Sequence, residues 1–271
     1  MKGRPADLVQ AALQQHRAGQ LPAALALYRQ AAETDRREPL APRLLALALA
    51  ETRDFEAAEK WIAEALIRDP KSVETLAAQG HIFVQSGQME SGRTVLEKVL
   101  RGQPDFAPAH RLLVHIALAA GPSDAVIVQL QLAARALPRQ AWPKAQLGRL
   151  LAGLKQFEAA AQHLAHAAAL EPGDAALAYD LGVALQESGQ TQAAIAAYQK
   201  ALALAPGMVR ARHNLASALQ SQGDIEAALS SYAHAYILEP ASFPRIAQDL
   251  AAGSAGQVWL RADALKAKLA G

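Results

Sequence analysis

Cysteine is missing from all 271 residues, which excludes disulfides, thiolate nucleophiles and cysteine-ligated metal and leaves the redox compartment open. An excess of charge is missing too: Lys and Arg number 27 against 25 Asp and Glu, a net charge of +2. The two signs are interspersed, so nothing points to nucleic acid. Long apolar runs are likewise absent, and no stretch offers the roughly 18 uninterrupted apolar residues of a membrane span. The N-terminal MKGRPADLVQAALQQHRAGQ has no apolar core of the kind a signal peptide needs. A cytoplasmic location without membrane insertion is the resulting expectation.

Catalytic punctuation is also lacking. There is no nucleophile elbow, no phosphate loop and no Gly-rich strand-to-helix turn, and the serines have no histidine at a motif spacing. His163 and His166 are three apart on one helix, half of a metal site at most, with no third ligand at a suitable spacing. They read as a surface pair. The expectation is therefore no enzyme, no catalytic residue, no metal and no cofactor.

What the chain does have is hydrophobic residues, 52% of it, many of them alanine. Alanine is the best helix former and lets helix backbones approach closely. The stretch Ala175 to Met208 shows the plan. Leu177, Leu181, Ala184 and Leu185 lie on one helical stripe, and Ala194, Ile195, Tyr198, Ala201 and Leu202 on a second. Gly189 separates the two, and Pro206 ends the second. Neither stripe can be buried by its own helix, so the two must pack together.

The same plan recurs every 34 residues without insertion or deletion: 5–38, 39–72, 73–106, 107–140, 141–174, 175–208 and 209–242. Proline returns as Pro70, Pro104, Pro138, Pro172, Pro206 and Pro240. Small residues open the second helices at Ala24, Ala58, Ala160, Ala194 and Ala228. Further along the same helices stand Ala31, Ala65, Val99, Ala133, Ala167, Ala201 and Ala235. Residues 1–4 form a short tail, and 243–271 break register as a capping segment, with a second helix near Arg261 to Ala270. Trp259 and Leu260 are expected to belong to the core of that cap.

This pattern resembles the tetratricopeptide repeat family, whose signature is matched by Leu181, Gly182, Ala194, Tyr198, Ala201 and Pro206. The resemblance covers Pro5 to Ser242. It implies an all-α fold, a right-handed α-solenoid or superhelix of seven helix–turn–helix units of bacterial type plus C-terminal capping helices. It also implies a concave groove lined by the first helices, where Leu40, Arg43, Leu44, Leu47, His81, Arg111, His115, Trp142, Gln146, Arg149, Tyr179, Arg210, His213 and Asn214 would face a partner. Leu13 and Asp180 share those positions. The N-terminal part of this set is apolar with an occasional base; the C-terminal part is polar, planar and mildly cationic. His110 falls in a column that packs between repeats and is expected in the core.

Departures from the pattern carry further expectations. Arg36 stands where the other repeats have proline, and Pro39 and Pro42 would end that helix a few residues late. Arg53 and Lys155 replace the turn glycine, so each either adopts a left-handed backbone or reshapes the turn. Gly80 and Gly92 of the third repeat allow close helix approach, whereas Val114 and Val126 of the fourth resist it. The chaperone-tail clamp of the family is not matched, since Ala176 and Asp180 stand where its last two cations belong. Only Asn214 occupies the column that other arrays fill with an asparagine ladder.

The function implied is a non-catalytic scaffold or adaptor for protein binding, holding an extended or helical, acidic segment of a partner protein or peptide in the groove. An accessory subunit of a sulfotransferase, glycosyltransferase or oxygenase system is a second reading. A self-assembling structural protein, a homo-oligomer joined through Leu40, Leu44 and Leu47, is a third.

Overall fold

The computed structural model describes residues 4–121, 124–252 and 262–270, and these are organised in two compact units, 1–136 and 137–271. The regular structure of the described residues is helical throughout. The first unit contains α1 (Pro5–Arg17), α2 (Leu21–Thr34), α3 (Leu40–Glu51), α4 (Phe55–Arg68), α5 (Val73–Gln85), α6 (Met89–Gly102), α7 (Ala107–Ala119) and α8 (Asp124–Ala136). The second contains α9 (Trp142–Gly153), α10 (Phe157–Leu170), α11 (Ala175–Glu187), α12 (Thr191–Leu204), α13 (Val209–Ser221), α14 (Ile225–Leu238), α15 (Phe243–Ala252) and α16 (Ala262–Ala270), with a short 3-10 turn at Pro240–Ser242. Each odd-numbered helix up to α13 packs against the helix that follows it, and within each unit successive pairs stack.

The core is a column of large side chains on the second helices set against small ones on the first. Tyr28, Ile62, Leu96, Leu130, Leu164, Tyr198 and Tyr232 occupy one position of the repeat, and all are essentially inaccessible to solvent. Facing them in their own pairs are Ala12, Ala46, Gly80, Val114, Gly148, Gly182 and Ala216, all buried. Burying each large side chain stabilises the fold by about 1.5–3 kcal/mol, and the small partner sets how near the helices come. At Gly92 an added Cβ would lie 3.0 Å from Val84 Cγ2 and 3.2 Å from the Gly80 carbonyl oxygen, so this pair of glycines does mark a close approach.

The turns between paired helices all demand a left-handed residue. Gly19, Gly87, Gly121, Gly189 and Gly223 have φ between 75° and 101°, and the two exceptions comply, Arg53 at 64° and Lys155 at 60°. Arg53 is exposed, so its side chain contributes little packing to offset the left-handed cost of about 1–2 kcal/mol. Replacing Arg53 by glycine should therefore raise stability, by about 0.5–1 kcal/mol after the added flexibility of the unfolded chain is subtracted. The urea midpoint would move up with an unchanged slope.

The first helix pair ends differently from the expectation. Pro39 precedes α3 and Pro42 lies within its first turn, while α2 already stops at Thr34, in step with the other second helices. Arg68, at the end of α4, holds that terminus. Its guanidinium donates to the carbonyls of Ala32 at 3.2 Å, Asp35 at 2.8 Å and Glu38 at 3.0 Å, and grips Glu64 Oε1 at 3.1 and 3.2 Å. The Glu38 carboxylate accepts from the amides of Leu40 and Ala41 and so starts α3.

At the other end of the chain, α15 and α16 close the second unit. Ile246, Leu250, Leu265 and Leu269 are buried against Tyr232, Ala216, Ala228 and Ala235. Pro122, Ser123, Trp259 and Leu260, to which sequence features assign a turn and a place in the cap, lie outside the described residues.

Candidate binding surfaces on the first helices

In the first unit the apolar positions are partly consumed by the fold. Leu40 and Leu44 pack on Val9, Ala31 and Ala41, and Leu13 and Leu47 on the cluster around Tyr28 and Leu45. Each remains half-exposed, as does Arg43. Beyond them the surface becomes titratable. Glu51 Oε2 lies 2.9 Å from His16 Nε2, whose other ring nitrogen is 3.4 Å from the Tyr28 hydroxyl. Burial holds the half-buried His81 below its ordinary pKa; Glu51 opposes that and His115 adds to it, so the neutral imidazole is favoured. Arg111 and His115 are exposed on α7. The phase of the repeat turns His16, the twelfth residue of its copy, toward the groove, but its pairing with Glu51 of the next repeat carries no local sequence signal.

In the second unit the polar positions form contacts with one another. Arg149 of α9 donates from Nε to Asp180 Oδ2 of α11 at 2.6 Å. Its charge is thus met within the chain, although its side chain stays partly exposed. The next first helix continues the series. Arg210 of α13 stacks 5.1 Å from the centroid of the Tyr179 ring, and Asn214 Nδ2 donates to the Tyr179 hydroxyl at 3.3 Å. Arg245 of α15 reaches Asn214 Oδ1 at 3.5 Å. Trp142 donates from its indole to Gln140 Oε1 at 2.8 Å, and Gln146 is exposed. Arg210, Tyr179 and Asn214 therefore form a continuous, partly open polar and planar surface across α11 and α13.

His213 does not share that surface. It is 2% exposed, covered by α15, with Nε2 2.5 Å from Asp249 Oδ2 and its ring edge-on to Tyr232. The repeat phase aims position 213 at the groove, but α15 stands where the next first helix would, and Asp249 closes over the imidazole. Burial is the main reason its pKa falls below the ordinary 6.5; Arg245 adds to the shift and Asp249 opposes it. The folded state thus holds the neutral form while the unfolded chain takes up a proton near pH 6.5. The stability contributed by neutral His213 is present above that pH and is lost as the pH falls through it. Thermal unfolding from pH 7.5 to 5.5 should consequently show a steeper loss for the wild type than for His213→Asn.

His110 is buried, with Nε2 2.8 Å from the Pro104 carbonyl and Nδ1 unpaired. His163 is half-buried and His166 exposed; burial, then His166 and Lys144, lower the pKa of His163. Among the described residues no three His, Cys, Asp or Glu side chains come together as metal ligands. None of the described helices is long and apolar enough to cross a membrane.

Two family models, both described as tetratricopeptide repeat, match the sequence, one over residues 8–73 and 146–209 and the other over 185–248. The chain belongs to the tetratricopeptide repeat family. Its fold is similar to that of the C-terminal part of a tetratricopeptide repeat-containing protein from Cytophaga hutchinsonii, with a TM-score of 0.70 and 14% identity over 89% of this chain and 99% of that one. It is also similar to MamA, with a TM-score of 0.52 and 24% identity over 60% of this chain and 95% of that one. These likenesses are of fold. No curated protein matches the sequence. The tetratricopeptide matches take in Leu40, Arg43, Leu44 and Leu47 in the first unit and Gln146, Arg149, Tyr179, Arg210 and Asn214 in the second.

Proposed function

We propose that this tetratricopeptide protein is a non-catalytic scaffold that holds a polypeptide segment of a partner protein on its first helices. The observation that carries this reading is the Tyr179–Arg210–Asn214 surface. Tyrosine and arginine are the side chains most often responsible for binding energy at protein interfaces. Here they are preorganised by each other, so little side-chain freedom is lost when a partner arrives. Arg210, stacked on Tyr179, is the cation this surface offers to an acidic group of the segment. Gln146 extends the surface along α9, and half-exposed Leu40, Leu44 and Leu47 supply apolar positions in the first unit. Tetratricopeptide repeat proteins in general serve as binding scaffolds, and the absence of catalytic motifs from the sequence agrees with that role.

Affinity capture with the wild type beside a Tyr179→Ala/Arg210→Glu variant of matched helicity tests the assignment. A partner held by the wild type should be lost from the variant. One held equally by both would remove α11 and α13 from the binding surface.

A further inference from the structure

A tetratricopeptide array supplies its own control, because positions one repeat apart do the same structural work. Side chains that depart from their column answer to something other than the repeat plan, either a local structural need, as Arg68 does, or a ligand. Exposed departures that meet in one place and have no structural partner therefore mark a candidate site, and in the first unit they converge on the second helices. A cavity of about 650 Å³ lies between α2 and α4, on second helices and so apart from the surfaces described above. Arg29, Arg36, Lys60 and Trp61 line it. None of the six positions equivalent to Arg29 is a cation, and none equivalent to Lys60 is. Arg36 replaces a proline found in every other repeat, and Trp61 is the only aromatic carbocycle in its column.

The electrostatics point one way. Arg29, Arg36 and Lys60 are exposed and take part in no ion pair among the described residues. Arg68, at the back of the cavity, is 5% exposed and neutralised by Glu64. Glu33 is the only other carboxylate in the lining, so positive charge is in surplus. The wall behind it is fixed, because Arg68 ties α4 to the end of α2 through three carbonyls. An apolar component accompanies the charge. The indole of Trp61 is half-exposed, and Ile67, seven residues after Lys60 and hence on the same side of α4, is 74% exposed, the most of any large hydrophobic described.

We infer that this α2–α4 cavity is a second docking site, on second helices, that takes an acidic peptide segment of a partner protein. Carboxylates of the segment pair with Arg29, Arg36 and Lys60, and an apolar side chain between them rests on Trp61 and Ile67. Guanidinium groups match carboxylates with two parallel hydrogen bonds, and an indole offers a flat apolar floor beside them.

The probe is a fluorescein-labelled Asp-Glu-Leu-Glu-Asp-Leu peptide, with its Asn/Gln counterpart as control, titrated against the full chain by anisotropy. The acidic peptide should bind the wild type, weaken as salt is raised, and weaken about tenfold or more in Arg29→Glu/Lys60→Glu. Trp61→Ala should lose affinity for both the acidic peptide and a longer acidic sequence that retains leucine. In the Tyr179→Ala/Arg210→Glu background, which removes the first-helix surface, adding Arg29→Glu/Lys60→Glu should still weaken the probe about tenfold or more, which separates the two sites. Absence of binding to the wild type, equal binding of the amide control, or undiminished binding by Arg29→Glu/Lys60→Glu would each overturn the inference. Loss confined to the Tyr179→Ala/Arg210→Glu variant would overturn it as well and place the acidic segment on the first helices.

Discussion

Replacing Arg68 by alanine is expected to lower the stability of the first unit by about 2–4 kcal/mol, because hydrogen bonds from a charged donor to otherwise unpaired groups are worth about 1.5–3 kcal/mol and several are lost together. The guanidinium is nearly inaccessible and donates to the carbonyls of Ala32, Asp35 and Glu38 while gripping Glu64. Without it, the carbonyls of Ala32, Asp35 and Glu38 lose the donor that holds the end of α2 against α4. Lysine should not restore the loss, since an ammonium cannot span three carbonyls and a carboxylate in one plane. Glu64→Gln should cost less, because that carboxylate is 42% exposed and water can take its place. Hydrogen exchange provides the local readout: in Arg68→Ala, protection should fall first in the last turn of α2 and the first turn of α3. Equal protection in wild type and variant would show that the α2 terminus stands without the clamp.

Arg68 also shows where reading the sequence stops. Proline punctuation marks six repeat ends, and at the seventh it is replaced by arginine, so the irregularity itself is visible. Its remedy is not. The clamp arrives from the neighbouring repeat, 30 to 36 residues away, through a side chain at a position where the other repeats carry Thr, Gly, Ala or Leu. The same reason explains His213 and Arg149. Phase places both on first-helix positions, yet what lies over a position depends on which residue the next helix presents there. That residue is Asp249 over His213 and Asp180 beside Arg149. What phase does fix is whatever depends on the repeat alone. The opening small residues Ala24, Ala58, Ala160, Ala194 and Ala228 are wholly buried, and so is the later column from Ala31 to Ala235. The turn column is left-handed even where it is not glycine. Periodicity thus reveals positions in the helix pair, and polar partners between pairs emerge only once the pairs are stacked.

Gly182→Val is the second large effect expected, and the repeat itself predicts how to reverse it. A Cβ added at Gly182 would lie 2.5 Å from Tyr198 Cε1 and 2.6 Å from Cδ1, well inside contact distance. The ring cannot simply swing away: it is fully buried, and its hydroxyl donates to Gln186 Oε1 at 2.8 Å. The helix pair must open instead, and overpacking of this kind costs about 1–3 kcal/mol. Alanine at the same place should be milder, because Ala12 faces Tyr28 and Ala216 faces Tyr232 in other pairs of the same chain. Valine in this column occurs once, as Val114, and there the facing residue is Leu130. The double variant Gly182→Val/Tyr198→Leu should therefore recover part of the loss that Gly182→Val alone produces, giving a favourable coupling in a double-mutant cycle. Strict additivity of the two substitutions would mean that residue 182 and residue 198 do not set the separation of α11 and α12.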